Sequence, residues 1–300
     1  MPRIAVVGSM NADLTVRTPR LPRPGETVTG SALETNPGGK SSNQAAIAAR
    51  LGGDVGLLAL VGEDPHGELL VAAARRAGVL TRWISTVTGV ATGTAMIAVD
   101  EKAENFIIIS PGANGELSPD RYAQAADLLD DAVVLCLCLE VDQATVLAAA
   151  QDAARRGVRV LLNLSPSAPV DSALLMATDV LLVNEHELSD LVGPGPLEEV
   201  PQQLAQLGIR QAVITLGADG AAVVTDATVT WIDSPPVTPV DTTGAGDAFT
   251  GSLALWLAEG DDLITAARKA VRVASFTTTR PGAQRSYPTL KELTGVLGEA

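Results

Sequence analysis

The sequence predicts an α/β fold built on a mainly parallel sheet with helices over both faces. Short apolar runs alternate with Ala-rich stretches of helical spacing along most of the chain. Glycines stand where two of those stretches should stop, at Arg156-Gly157 and Leu207-Gly208. The 300 residues are 46% hydrophobic and only 3% aromatic, enough to bury one large core of Ala, Val, Leu and Ile.

Residues 4–7 read as the first strand, and the polar pair Asn11 and Asp13 follows it. Residues 13–17 with 26–33, and 92–99 with 105–109, interrupt the strand and helix alternation and read as two strand pairs forming a small second sheet. A sheet with one apolar face closes over a ligand as a lid or pairs with its copy in a dimer, and both together are expected here. Helices are predicted at 41–51, 66–77, 142–156 and 198–207, where apolar residues recur at three- and four-residue spacing. Strands are predicted between them at 56–61, 133–139, 159–163, 180–184 and 212–216. Gly193-Pro194-Gly195-Pro196 reads as a surface turn before a helix. With no internal repeat or low-complexity linker, a single domain over 1–300 is expected, with lid segments at about 13–35 and 92–109. Ligands of such sheets collect beyond the carboxyl ends of the strands. Polar clusters occur at those ends, including Glu140, Asn163, residues 184–187 and residues 215–220.

Charge and cysteine usage exclude several classes. Lys and Arg number 21 against 35 Asp and Glu, a net charge of −14, and no basic run occurs, so nucleic acid is not an expected partner. No segment reads as a signal peptide or membrane span, so a cytoplasmic location is expected. Cys136 and Cys138, the only cysteines, alternate in an apolar run and are expected as buried reduced thiols on one strand face.

The stretch Asp241-Thr242-Thr243-Gly244-Ala245-Gly246-Asp247 carries the chemistry. Two carboxylates bracket a Gly-rich turn that enters an apolar helical pattern, and such a turn, with the helix-opening amides behind it, suits an anion. Asp247 beside that anion is placed to accept a proton from an attacking hydroxyl in phosphoryl transfer; alone, it reads equally well as a helix cap. Familiar nucleotide signatures fail. Gly39-Lys40-Ser41 resembles the end of a P-loop, but Glu34 stands where its first glycine belongs, and no Gly-x-Gly-x-x-Gly follows the first strand, which disfavours a nicotinamide-dependent oxidoreductase. The two histidines, His66 and His186, make neither a zinc site nor a triad.

Six motifs fit together in order: Gly8-Ser9-Met10-Asn11-Ala12-Asp13, Pro24-Gly25-Glu26-Thr27, Gly38-Gly39-Lys40-Ser41-Ser42-Asn43-Gln44-Ala45, Asn184-Glu185-His186-Glu187, Thr215-Leu216-Gly217-Ala218-Asp219-Gly220, and the run from Asp241 to Asp247. With Gly282-Ala283-Gln284-Arg285-Ser286 near the end, the chain resembles the ribokinase family of carbohydrate kinases from end to end. The resemblance implies a three-layer sandwich with a mainly parallel central sheet and a small β-sheet lid. It implies ATP-dependent phosphorylation of D-ribose at its 5-hydroxyl. Deoxyribose, another sugar or a nucleoside is the alternative within the family, and a non-catalytic sugar sensor is the alternative outside it.

The resemblance also assigns roles. Asp247 is the base, and Gly244, Ala245 and Gly246 form the anion hole. Asn11, Asp13, Gly39, Lys40, Asn43, Glu140 and Asp247 bind the sugar, as suits amides and carboxylates that clamp a vicinal diol. Asn184, Glu187, Thr215, Leu216, Gly217, Ala218, Asp219, Gly220 and Gly246 bind ATP, with Asn184 and Glu187 positioning Mg²⁺ through water. Asp241, Thr243, Thr277, Arg280, Gly282 and Ser286 hold K⁺, largely through carbonyls. A homodimer through the lid is implied. Where the family usually reads Gly-Gly-Lys-Gly-Ala-Asn-Gln this chain has Ser41 and Ser42, so a difference in pocket shape is expected there, and His186 receives no role.

Overall fold

The computed structural model describes residues 2–102 and 105–297, so the outermost residues of the 1–300 domain and positions 103–104 of the second lid segment fall outside the description. The strands are β1 (Arg3–Val7), β2 (Asn11–Arg17), β3 (Glu34–Gly38), β4 (Asp54–Gly62), β5 (Ile84–Val87), β6 (Gly93–Val99), β7 (Asn105–Ser110), β8 (Ala132–Leu137), β9 (Arg159–Asn163), β10 (Val180–Asn184), β11 (Gln211–Thr215), β12 (Ala221–Thr225) and β13 (Thr228–Ile232). The helices are α1 (Lys40–Arg50), α2 (Pro65–Ala77), α3 (Pro119–Gln124), α4 (Gln143–Arg156), α5 (Ser172–Met176), α6 (Glu185–Val192), α7 (Val200–Gln206), α8 (Ala245–Glu259), α9 (Leu263–Thr278), α10 (Ala283–Ser286) and α11 (Leu290–Leu297).

Local chemistry accounts for the helix limits. Asp64 caps α2 by accepting from the Gly67 N–H, Pro65 opens the helix, and Gly78 closes it in the left-handed conformation. Asp142 and Gly157 bracket α4 in the same way, and Gly157 takes the left-handed conformation at the stop read from the sequence.

The main sheet runs β13-β12-β11-β10-β9-β8-β1-β4-β5. It is parallel from β5 to β11, and the β11 to β13 end is antiparallel. One core packs α1, α2, α8 and α9 on one face, and a second core packs α4 and its neighbours on the other. Helices on both faces of a mainly parallel sheet are the layered α/β arrangement expected. Helix α8 is apolar all round and buried from Asp247 to Ala258, because it lies between α1, α9 and the sheet. Cys136 and Cys138 are both free and buried, and burial pushes both thiols up to about 12. Cys138 falls one residue beyond β8, whose end the sequence placed at 139.

A smaller sheet, β3-β2-β6-β7, forms the lid. Its strands β2, β6 and β7 coincide closely with the predicted pairs, but the partner expected at 26–33 is corrected. The strand is β3, and 26–33 carries no strand. The reason is register: Asp13 pairs with Asn36 and Asn11 with Gly38, which delivers the chain directly to the start of α1. Apolar Val28 and Leu33 mimic a strand pattern in a segment that is mostly exposed. The edge strand β5 and the hairpin β12–β13 were not anticipated.

Candidate active site

The lid root and the helix starts bring distant motifs to one cleft at the carboxyl ends of the parallel strands. Strand β1 passes through Gly8 and Ser9 into β2, which places Asn11 and Asp13 on one face of the lid. Gly38 lies against the Asp13 carboxylate so closely that a Cβ there would stand 2.1 Å from Asp13 Oδ2. Glu140, just past β8, accepts from the Lys40 N–H at 2.9 Å and from the Ser9 hydroxyl through the same Oε2. The other carboxylate oxygen is left for a ligand.

Asp247 sits in the first turn of α8, 8% exposed. Asn43 Nδ2 donates to its Oδ2 at 2.8 Å and Gln44 Nε2 to its Oδ1 at 3.3 Å. Burial raises its pKa against the lowering influence of Lys40 and these two amides. Burial and the neighbouring Glu140 and Asp247 push Asp13 up to about 7. Lys40 answers this cluster: burial pulls its ammonium down, but Asp247, Glu140 and Glu187 outweigh burial and raise it. The result is one cation among several carboxylates, with Asp13 pushed up to about 7 and Asp247 also raised by its burial.

The turn before Asp247 has a left-handed Gly244 at the N-cap of α8, with no side-chain cap. The Ala245 N–H is committed to the Thr242 carbonyl at 3.2 Å. The amides of Gly246 and Asp247, which no helical carbonyl can reach, open toward the cleft with the positive end of the helix dipole. Tyr287, fully buried, donates its hydroxyl to the Gly244 carbonyl at 3.3 Å and braces the turn from behind.

A cleft of about 160 Å³ joins these groups to the nucleotide-side motifs, with Lys40, Gly244, Gly246 and Asp247 meeting Asn163, Ser165, Asn184, Glu187 and Thr215. Asn184 and Glu187 cap α6 reciprocally, the Asn184 side chain accepting from the Glu187 N–H at 2.8 Å and Glu187 Oε2 accepting from the Asn184 N–H at 2.9 Å. The two residues thus close a complete capping box and also line the cleft. In the 215–220 loop, Gly217, Ala218 and Asp219 are exposed in a single 3-10 turn, whereas Leu216 and Gly220 are buried. The Leu216 side chain is packed in the core, and Gly220 has no room for one, since a Cβ there would stand 2.1 Å from the Ile232 carbonyl oxygen. His186 points outward and pairs with Asp190 at 3.7 Å.

Of the expected cation set, Asp241, Thr243 and Gly282 are brought together. Asp241 Oδ1 accepts from the Thr243 N–H at 2.9 Å and its Oδ2 from the Gly282 N–H at 2.8 Å, tying the two loops together. Burial works against these bonds but loses, and the Asp241 carboxyl stays below its usual range. Ser286 is buried and donates to the Ala283 carbonyl. The Arg280 guanidinium is occupied by Glu292 at 2.7 Å and by the Phe276 ring, so only its carbonyl could serve an ion.

Several residues of the cleft received no role from the sequence. Ser9 and Gln44 stand inside quoted motifs, and their bonds to Glu140 and Asp247 give them one. Asn163 was visible only as a strand-end polar residue. Gln284 donates to Asn43 Oδ1 at 3.0 Å, and Asn114 to Asn11, contacts that no local pattern announces.

In sequence and in fold the chain is similar to known sugar kinases. The model of the pfkB family carbohydrate kinases matches residues 1–290. A ribokinase of Bacillus subtilis (strain 168) is 35% identical over 297 residues, spanning 99% of this chain and 100% of that protein. A deoxyribokinase of Salmonella typhi is 34% identical over 295 residues, with 96% of each chain covered. The structure of Arabidopsis thaliana ribokinase complexed with ribose and ATP superposes with a TM-score of 0.93 at 32% identity, covering 100% of this chain and 99% of that one.

Proposed function

The chain belongs to the pfkB family of carbohydrate kinases, and from that premise we propose that it transfers the γ-phosphoryl group of ATP to the 5-hydroxyl of D-ribose. The products are ribose 5-phosphate and ADP. The observation that carries the reading is Asp247: a buried carboxylate held by two amides at the opening of a helix whose free N–H groups face the same cleft. Asn11, Asp13, Gly39, Lys40, Asn43 and Glu140 hold the sugar from the lid side. Asp247 takes the hydroxyl proton as the sugar oxygen attacks phosphorus in line, and the bond to the leaving ADP oxygen breaks. The amides opening α8 and the Lys40 ammonium take up the charge on the transferring phosphoryl group. The loop from Thr215 to Gly220 receives the nucleotide. Apolar Ile97, Ile107 and Ile109 share the lid face of Asp13 and exclude water when the lid closes.

Mg²⁺ fits Glu187 beside Asn184, a single carboxylate suited to an ion that keeps its water and arrives with phosphate. When bound it neutralises phosphate charge. K⁺ fits the loops joined by Asp241, where Thr243, Thr277, Arg280, Gly282 and Ser286 supply oxygens and the carboxylate stays charged. There it would hold the anion turn in shape. The single kinase domain spans 1–300 with its lid at about 13–35 and 92–109, and the free buried cysteines support a cytoplasmic location. Deoxyribose is the second reading, favoured by the deoxyribokinase similarity.

The test is ADP production with Mg²⁺ and K⁺ over a panel of ribose, deoxyribose, fructose, other pentoses and nucleosides, with a no-sugar control. Preference for ribose, reduced when K⁺ is replaced by a large organic cation, supports the whole reading; preference for deoxyribose moves the substrate only. Asp247→Ala is expected to lower turnover by about 10² to 10⁴ fold while calorimetry still registers sugar binding. An equally active variant removes Asp247 from the mechanism. Sugar binding without ADP production by the wild type favours a sensor.

A further inference from the structure

Asn114 lies on the short 3-10 segment Gly112–Glu116 that follows lid strand β7, and it is 2% exposed. Its amide is fully committed. Oδ1 accepts from the Met10 N–H at 2.9 Å, while Nδ2 donates to the Met10 carbonyl at 3.1 Å and to Asn11 Oδ1 at 2.7 Å. The two backbone bonds fix which end of the Asn114 amide is oxygen and which is nitrogen, since exchanging them would set donor against donor and acceptor against acceptor. The third bond then fixes Asn11. With its Oδ1 turned to Asn114, Asn11 presents Nδ2 as the group available to a ligand.

The contact sits where the lid is rooted. Asn11 opens β2, its register partner Gly93 opens β6, and Asn114 follows the end of β7. The packing leaves no room for a side chain at Gly93, where a Cβ would stand 2.2 Å from Asn114 Nδ2 and 2.5 Å from Asn11 Oδ1. We propose that Asn114 is a positioning residue for the sugar site, holding Asn11 with its amide nitrogen toward a sugar oxygen and tying the return strand of the lid to that orientation. The inference rests on the sugar-kinase reading above.

Asn114→Asp tests it. A carboxylate at 114 still accepts from the Met10 N–H but gives nothing to the Met10 carbonyl or to Asn11 Oδ1, so Asn11 must turn its own Nδ2 to the carboxylate and offer the sugar an acceptor in place of a donor. The expected result is a sugar KM raised about tenfold or more, the size of one lost and mispaired hydrogen bond. Both kcat and the KM for ATP should stay within about threefold, because binding common to ground and transition states is what is lost. Asn114→Ala, which keeps no bond to Asn11, serves as a second variant should the buried carboxylate impair folding, and thermal unfolding is followed for both. In an Asn11→Ala background neither change should move the sugar KM further. A shift that persists in that background, or that falls equally on kcat and the ATP KM, would mean a general structural role and overturn the inference. Failure of the sugar-kinase reading appears instead in the wild type, which would turn over no sugar of the panel and overturn both.

Discussion

Lys40 faces three carboxylates across the cleft, and its removal should be read in a pH profile before anything else. Asp247 must be ionised to accept a proton, so kcat climbs with pH through its pKa. Burial raises that pKa and Lys40 is the foremost group lowering it. Lys40→Met is therefore expected to move the acid limb of kcat to higher pH by about one unit or more, with an unmoved limb placing the cation elsewhere in the reaction. Asp13 gives the companion prediction for stability. Its folded-state pKa, raised from 3.8 to about 7, means that the folded chain holds a proton there which the unfolded chain releases, so ionising Asp13 costs stability progressively as pH rises from about 4 to about 7. Asp13→Asn should leave Tm little changed near pH 4 and raise it above pH 7, by differential scanning calorimetry, while weakening sugar binding. Residues of this kind were legible because each belongs to a short local motif. Asn114 belongs to none, and Gln284, although inside a quoted motif, showed no role there, since the contacts of both reach across more than 100 positions of sequence. The Ser41 and Ser42 departures also resolve only in three dimensions: Ser41 Oγ meets Cys138 Sγ at 3.1 Å and Ser42 Oγ accepts from Gln284 at 3.2 Å, so both hydroxyls are spent on packing partners of α1.

The opening of α8 separates two roles for glycine that the sequence presents as one motif. Gly244 has φ 77°, and a Cβ there would stand 2.7 Å from the Ala283 Cβ, whereas a Cβ on Gly246 meets nothing within 4 Å. Gly244→Ala should lose about 1–2 kcal/mol from the left-handed backbone alone, with the clash adding to it, and activity falls with the fold. Gly246→Ala should unfold at the wild-type temperature and still lose activity, because its methyl group enters the space where the phosphoryl oxygens must approach the amides. Equal losses of stability in the two variants, by thermal unfolding, would make the turn a purely structural device. Elements with strong periodicity or a clear stop, such as α2, α4 and β9, were legible from sequence. The edge strand β5, only Ile84–Val87 and half exposed, has no room for a periodic signal. The hairpin β12–β13 hid behind the Gly-rich loop that precedes it, and β3, which reads Glu-Thr-Asn-Pro-Gly, has almost no strand propensity and is held by its pairing with β2.

At the scale of the whole molecule the lid is apolar on both faces, and only one face meets the cleft. Register places Asp13, Ile97, Ile107 and Ile109 on the side that carries the site, and Leu14, Val16, Met96, Phe106 and Ile108 on the side turned away from it. Phe106 and Ile108 are 63% and 60% exposed. A four-stranded sheet with such an outer face is a surface that water disfavours, and with a net charge of −14 opposing nonspecific association, a specific partner is the economical cover. A second copy of the lid suits it, since a two-fold contact sets the same apolar face against itself and satisfies both copies at once. The full chain is accordingly expected to sediment as a dimer in analytical ultracentrifugation. Phe106→Asp combined with Ile108→Asp, two carboxylates in each half of the contact, should yield monomers at micromolar concentration. Because the same strands carry residues of the site face, the monomer should also show a raised sugar KM, its lid no longer held in register from outside. A wild type that sediments as a monomer, or a double variant that remains a dimer, would remove the lid from the interface.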